Sequence, residues 1–322
     1  MTTRRQFLMR GATGLAWLGL GPLAGRLGGW VPDGRAYAEN PEETVVTILH
    51  TNDVHSRIDP FPEDGSRNAG RGGAARRATL IRQIRAENPN TLLVDAGDVF
   101  QGTPYFNLFH GEVDFKVMSA LGYDVMNIGN HDFDGGVDGL VNALPHAKFD
   151  LVNANYDFGK SPLGPHVKPY VIREVGPARV GIFGLGVMLD GLVSESSRPG
   201  ITYGDPVPVA RRLAQELRRD QKCDLVVCLS HLGNDGWSGQ PGDQDLARSV
   251  EGIDLIVGGH SHTFMDAPTR VRHGDRETLV FQVGWAGINL GRVDFRLRRG
   301  VVTGTQGSVI PVGERASTER AA

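Results

Sequence analysis

The sequence predicts an α/β fold built on a largely buried sheet, and three observations lead to it. Short apolar runs of strand length recur along the chain: TVVTILH (44–50), TLLVD (91–95), YDVMNI (123–128), DLVVCLS (224–230) and DLIV (254–257). Their β-branched content and lack of polar alternation suit strands covered on both faces. Helical patterns lie between many of them, at 73–88, 105–122 and 206–221, and strand–helix alternation builds α/β layers. Each run also stops at a polar cluster, and α/β proteins assemble their sites at the carboxyl ends of strands.

The elements follow in order. The first run leads into TNDVHSR, the second into AGDVFQG, the third into GNHDFDGG, the fourth into HLGNDG and the fifth into GGHSH. After His262 the pattern changes. ETLVFQVG, INLGRVDFRLRRG and VVTGTQGSVIPV read as strands with short connections, expected as hairpins that complete a second sheet. No Pro/Ser linker divides the chain, so residues 39–312 are expected to form one domain, with 313–322 a polar, flexible tail.

The 322 residues are 40% hydrophobic and 22% charged, an ordinary globular composition. Residues 1–38 stand apart from the fold. Arg4-Arg5 is followed by Phe7 and Leu8, then by a weakly apolar, Gly-rich run, then by Ala36-Tyr37-Ala38 with small residues where a signal peptidase needs them. This is the pattern of a twin-arginine export signal cleaved after Ala38, which predicts a periplasmic or secreted protein. The run is too short for a spanning helix of about 20 apolar residues, so no stable membrane anchor is expected. Removing the segment takes away five arginines and one aspartate and moves the net charge from −3 to −7. That charge excludes a basic nucleic-acid-binding protein, and an anionic partner must be drawn by a local positive centre. Cys223 and Cys228, five apart on one predicted strand, would lie roughly 16 Å apart, too far to bridge. They read as core thiols.

The polar clusters gather the residues able to ligate a metal: Asp53 and His55, Asp98, Asn130 and His131, His231, His260 and His262. Five of the ten histidines fall here. The donors are all nitrogen or oxygen, which suits Mn, Zn or Fe and argues against a Cys-rich structural zinc. Each cluster alone has a plain reading as a helix cap or a turn. Their joint appearance in this order is harder to explain that way.

D-x-H at 53–55, GDVFQG at 97–102, GNHDFD at 129–134, SHLG at 230–233 and GGHSHT at 258–263 resemble the calcineurin-like metallophosphoesterases, and specifically their 5′-nucleotidase/UDP-sugar hydrolase branch. The likeness runs from about Val45 to Thr263. It implies a four-layer αββα sandwich, two mixed sheets flanked by helices. It implies two divalent metal ions, the first held by Asp53, His55 and His262, the second by Asn130, His231 and His260, with Asp98 bridging. A metal-bridging hydroxide would attack the phosphorus of a phosphate monoester, with nucleotides the favoured substrates. Asn130 and His131 would contact the substrate, His131 stabilising charge or donating a proton, with Asp134 orienting its ring. Asp132 stands where most relatives carry Glu, a position that is no ligand in the family.

His50 ends a strand and reads as packing. Arg71, Arg76 or Arg77 could meet an anionic substrate, against the simpler reading of a solvated basic helix face. The two glycines before His260 are expected to allow a tight turn that aims both histidine rings inward. Better-known members of the branch carry a second domain that stacks the base. Only 60 residues follow His262 here, so that domain is expected to be absent, with a homodimer partner or separate subunit as possible completions of the pocket. Competing readings are hydrolysis of a diester or pyrophosphate bond (a cyclic nucleotide or UDP-sugar), a thiosulfohydrolase-like reaction, or a non-catalytic metal- or phosphate-binding protein.

Overall fold

The computed structural model describes residues 43–313. The predicted export signal and most of the predicted tail lie outside the described residues. The chain runs β1 (Glu43–Thr51), α1 (Ala74–Glu87), β2 (Thr91–Asp95), α2 (Pro104–Phe109), α3 (Glu112–Leu121), β3 (Val125–Asn127), α4 (Gly136–Ala143), β4 (Asp150–Val152), β5 (Tyr156–Asp157), β6 (Val167–Lys168), β7 (Tyr170–Val175), β8 (Ala178–Gly186), β9 (Thr202–Tyr203), α5 (Pro206–Arg219), β10 (Leu225–His231), α6 (Asp243–Ser249), β11 (Leu255–Gly258), β12 (Thr269–His273), β13 (Arg276–Phe281), β14 (Asn289–Arg298) and β15 (Val301–Pro311).

Three apolar clusters separate four layers. Side chains of successive strand residues point to opposite faces. Val46 and Ile48 of β1 accordingly meet Leu225, Val227 and Leu229 of β10 in a core between two sheets. Leu49 turns the other way, with Leu93, toward Ile81 and Ile84 of α1 and Phe115 and Met118 of α3. Val226 and Cys228 turn outward toward Ala210, Leu213 and Leu217 of α5 and Leu246 of α6. Both cysteines are buried and free. The helices follow from the same spacing logic. α1 buries Ala74, Arg77, Ile81 and Ile84, a single stripe. α5 starts where Asp205 accepts a hydrogen bond from the Val207 N–H and Pro206 takes the first helical position, and it ends in Arg218 and Arg219.

The first sheet has the order β15-β14-β1-β2-β3-β4-β6 and the second β12-β13-β11-β10-β8-β7. Both are mixed: β1, β2 and β3 run parallel, while β1 and β14 are antiparallel. Two expectations need correction. Of the strands after His262, only β12 and β13 extend the second sheet. β14 crosses back to pair with β1, because its apolar residues Val293, Phe295 and Leu297 fill the core between the sheets, and β15 pairs with β14 at the edge of that sheet. The helical pattern at 105–122 is two helices, broken at His110 and Gly111, both in the left-handed region with φ 49° and 91°. A Cβ at Gly111 would stand 2.2 Å from the Phe100 ring, so the break lets the chain pass over a core phenylalanine.

The β7–β8 hairpin carried no clear apolar run. Its run ARVGIFGLG is diluted by glycines that the sheet contact requires: a Cβ at Gly184 would lie 2.4 Å from the Val152 carbonyl of the facing sheet. His50 does pack, as expected. It is fully buried, edge-on to Phe281 at 5.0 Å, and burial pushes its imidazole down to about 3.

One core carboxyl gives a pH test. Asp114 on α3 is 4% exposed and, among the described residues, its Oδ2 has no hydrogen-bond partner. It lines a small cavity with Arg57, Arg77, Asp95 and Tyr123. Burial pushes it up to about 6. A folded-state value above the unfolded one means that ionisation costs stability as pH rises from about 4 to 6 and the full cost remains above that. Asp114→Asn is expected to stabilise the protein at neutral pH by roughly 1–3 kcal/mol, with the gain vanishing toward pH 4. Denaturant midpoints across that range measure it. A gain independent of pH would rule out the buried charge as its cause.

Candidate metal centre

The carboxyl ends of β1, β2 and β3 in one sheet and of β10 and β11 in the other open on a common site. Every metal-capable residue named from the sequence reaches it. Donor atoms of Asp53, His55 and His262 lie within 4.8 Å of one another, and so do those of Asp98, His231 and His260. His55 Nε2 faces His262 Nε2 at 3.0 Å. Asn130 Oδ1 sits 2.9 Å from His260 Nδ1. The two groups share a border. Asp98 Oδ2 is 3.1 Å from His231 Nε2 and 4.0 Å from His55 Nε2. Asp53 Oδ1 is 3.5 Å from His262 Nε2 and 3.9 Å from His231 Nε2.

Backbone geometry reveals how the site is built. Asp53, His55, Asp98, His260 and His262 all have φ between 50° and 71°. Non-glycine residues rarely adopt this left-handed region, and such strain persists only where surroundings impose it. The glycine expectation is therefore corrected. Gly258 and Gly259 do not supply the left-handed turns; the histidines do. The glycines supply room: a Cβ on Gly258 would lie 2.0 Å from Asp243 Oδ2, and one on Gly259 2.7 Å from His231 Nδ1.

The electrostatics suit a cation. Burial holds His55 down and pushes His260 down to about 4, leaving neutral imidazoles able to ligate. Burial also acts to lower His231, but the charges of Asp98 and Asp53 outweigh it and push this imidazole up to about 10. Asp98 is held below the usual carboxylate range: burial opposes ionisation, but His231, His55 and His131 prevail. His231 Nε2 is buried, close to Asp98, yet makes no well-formed hydrogen bond. Without a metal the His231 proton completes this pair, and a metal ion held there would take that proton's place. The residues present thus fit a metal pair with nitrogen and oxygen ligands.

His131 stands at the edge. Its backbone N–H donates to Asp98 Oδ1 at 2.7 Å, its ring lies 5.4 Å from that of His55, and its Nδ1 meets Asp134 Oδ2 at 2.9 Å. That hydrogen bond raises the His131 imidazole above its ordinary value, against burial. The arginine expectation fails for two of its three residues. Arg71 and Arg77 are buried, neither solvated nor open to substrate, while exposed Arg76 donates to the Gly70 carbonyl.

Two residues that sequence reasoning passed over organise the site. Asp132 accepts hydrogen bonds from the backbone N–H groups of Gly129, Asp98, Val99 and Phe100, at 2.8 to 3.1 Å. It ties the GNHDFD loop to the GDVFQG loop and so sets Asp98 against Asn130. Gln282 is fully buried. Its Oε1 accepts from the Thr263 N–H at 2.9 Å and its Nε2 donates to the Gly259 carbonyl at 2.8 Å, clamping the loop that carries both histidines. The departure at Asp132 was the one visible signal; Gln282 had none.

Comparison with known proteins agrees with this geometry. The snake venom 5′-nucleotidase of Gloydius brevicauda is 39% identical over 227 residues, covering 68% of this chain and 37% of that protein. The human 5′-nucleotidase is also 39% identical, over 231 residues and 38% of its length. This chain thus spans well under half the length of these relatives. Among solved structures, a 5′-nucleotidase precursor from Thermus thermophilus superposes with a TM-score of 0.75 at 33% identity, covering 84% of this chain and 55% of that one. The NAD nucleotidase of Haemophilus influenzae has a TM-score of 0.72 at 26% identity, covering 84% and 49%. Calcineurin-like phosphoesterases use two divalent metals, and this chain offers a donor group for each. With the family's sequence pattern matched over residues 46–264 and its layered fold and paired donor groups in place, the chain belongs to the calcineurin-like phosphoesterases.

Proposed function

We propose that this protein hydrolyses phosphate monoesters, nucleotides foremost, with two divalent metal ions. The observation that carries the reading is the meeting of two metal-donor groups with the His131–Asp134 pair at one set of strand ends. Asp53, His55 and His262 would hold the first ion, Asn130, His231 and His260 the second, with Asp98 between them. When bound, the ions supply positive charge for phosphate oxygens and acidify a coordinated water.

The chain's own groups do the rest. Asn130 and His131 contact the phosphate. With Nδ1 engaged by Asp134, His131 presents Nε2 as the hydrogen-bond or proton donor to the leaving oxygen. The raised imidazole keeps that proton available near neutral pH. A cleft of about 650 Å³ beside Asp134, walled by Phe106, Asn107, His110, Asp138 and Ser197, gives a leaving group room. The nucleotide preference rests on the names of the relatives. Likeness to an NAD nucleotidase supports pyrophosphate-bond hydrolysis as the second reading.

Export through the twin-arginine route to the periplasm or beyond rests on residues 1–38 alone. Among the described residues no helix is long and apolar enough to cross a membrane. A homodimer partner or separate subunit would wall the pocket.

Metal analysis with a substrate panel tests the reading: AMP, UDP-glucose, 2′,3′-cyclic AMP, a chromogenic monoester and a sulfur–sulfate conjugate. Two metal equivalents and turnover of AMP and the chromogenic monoester are expected. Metal-loaded protein that turns over none of the five would overturn the enzyme reading.

A further inference from the structure

We infer that Trp285, in the turn between β13 and β14, is a positioning residue that braces the first metal group by stacking on His262. The inference rests on the ligand assignment above. Metal-bound histidines usually have their ring orientation set by a hydrogen bond from the other nitrogen. His55 and His231 follow this rule, with Nδ1 against the carbonyls of Phe100 (3.2 Å) and Ala96 (2.9 Å). Among the described residues, no carbonyl or carboxylate takes Nδ1 of His262. Its side chain is 38% exposed, against 7% for His55 and 0% for His231, and its backbone is left-handed. By position alone it is the donor least constrained.

Instead an indole plane lies against the face of the His262 ring. The Trp285 and His262 rings are 5.7 Å apart and 5° from parallel, an offset stack. Phe61 packs edge-on against Trp285 at 5.9 Å, and the Arg57 guanidinium lies 4.3 Å over the Phe61 ring. The row therefore runs back into the loop between β1 and α1. The same turn also holds the other side of the metal group. The Ala286 N–H donates to the Asp53 carbonyl at 2.7 Å, the Gly284 carbonyl accepts from Asn52 Nδ2 at 2.6 Å, and the Gly284 N–H donates to the Thr263 carbonyl at 3.0 Å. Residues 284–286 are thus a strut between Asp53 and His262. The His260 ring is held differently, its Nδ1 meeting Asn130 Oδ1 at 2.9 Å.

The test titrates Zn²⁺ into metal-stripped full-length protein, by calorimetry and by competition with a chromogenic chelator. Trp285→Leu keeps bulk and removes the flat face. It is expected to weaken one of two Zn²⁺ equivalents by about 10-fold or more, the scale for losing a group that orients a ligand, and to spare the other. Trp285→Phe, which keeps a stacking face, should restore it. Zn²⁺ should also change indole emission in the wild-type protein, saturating with one equivalent, and that change should be missing in Trp285→Phe. His262→Ala separates the two levels of the argument. If it loses one equivalent while Trp285→Leu binds both as the wild type does, the brace is wrong and the ligand assignment stands. If it retains both equivalents, the ligand assignment fails and the brace with it. Equal weakening of both equivalents in Trp285→Leu would mark a general structural role and overturn the inference. Should Trp285→Leu fail to fold, an emission change that survives in Trp285→Phe would do the same.

Discussion

His131→Ala is expected to keep both metal equivalents and to lose about 10²-fold or more in turnover, the scale of a positioned acid or charge-stabilising group. In barrier height this is about 2.7 kcal/mol. The reasoning begins with position. His131 touches the metal groups through its backbone, which donates to Asp98 Oδ1, while its ring turns to Asp134. Alanine keeps that backbone bond and removes only the imidazole. Loss of a metal equivalent would show His131 to be a ligand and sink the assigned role. The pH profile adds a second check. Asp134 raises the imidazole, so the protonated form survives to higher pH than in a free histidine. If that form is the donor, activity falls as pH rises through the raised value. Asp134→Asn should move this alkaline limb to lower pH; an unmoved limb would remove Asp134 from the mechanism.

Asp98→Asn should weaken both metal ions together, each by at least about 10-fold, since losing even an outer partner of a ligand costs about 10- to 100-fold. Asparagine preserves the volume and can still accept from the His131 N–H. What disappears is the negative charge that lies 3.1 Å from His231 and 4.0 Å from His55, one histidine from each group. Two dications held close together repel, and an anionic oxygen between them offsets that repulsion. Metal titration of the variant decides the matter. Loss of a single equivalent would assign Asp98 to one ion only. Asp53 would then become the better bridge, because its Oδ1 also lies within 4 Å of histidines from both groups.

The donor residues were legible because each sits within a few positions of a strand end. Asp53 and His55 follow β1, Asp98 follows β2, and His260 and His262 follow β11, so apolar run and polar cluster can be read together. The supporting residues were not, since their meaning lies in distant partners. Gln282 serves a loop about 20 residues earlier, and Asp132 binds N–H groups more than 30 residues away. Trp285 reads as one more aromatic until folding lays it on His262. The break at Gly111 was hidden for the same reason: the obstacle is Phe100, outside the helical pattern.

By itself the sequence determined the layered α/β architecture and the gathering of metal-capable residues at strand ends, while the pairing of His131 with Asp134 was what the family resemblance implied. The first two follow from local chemistry: strand-length apolar runs and residues of known ligand type. The tertiary structure alone decided the strain. It put the left-handed backbone on the candidate donors themselves and made the adjacent glycines a matter of space, because loops from two facing sheets converge on a volume that also holds Asp243, His231 and Gln282. That crowding arises only when the sheets pack, and no single stretch of chain contains it.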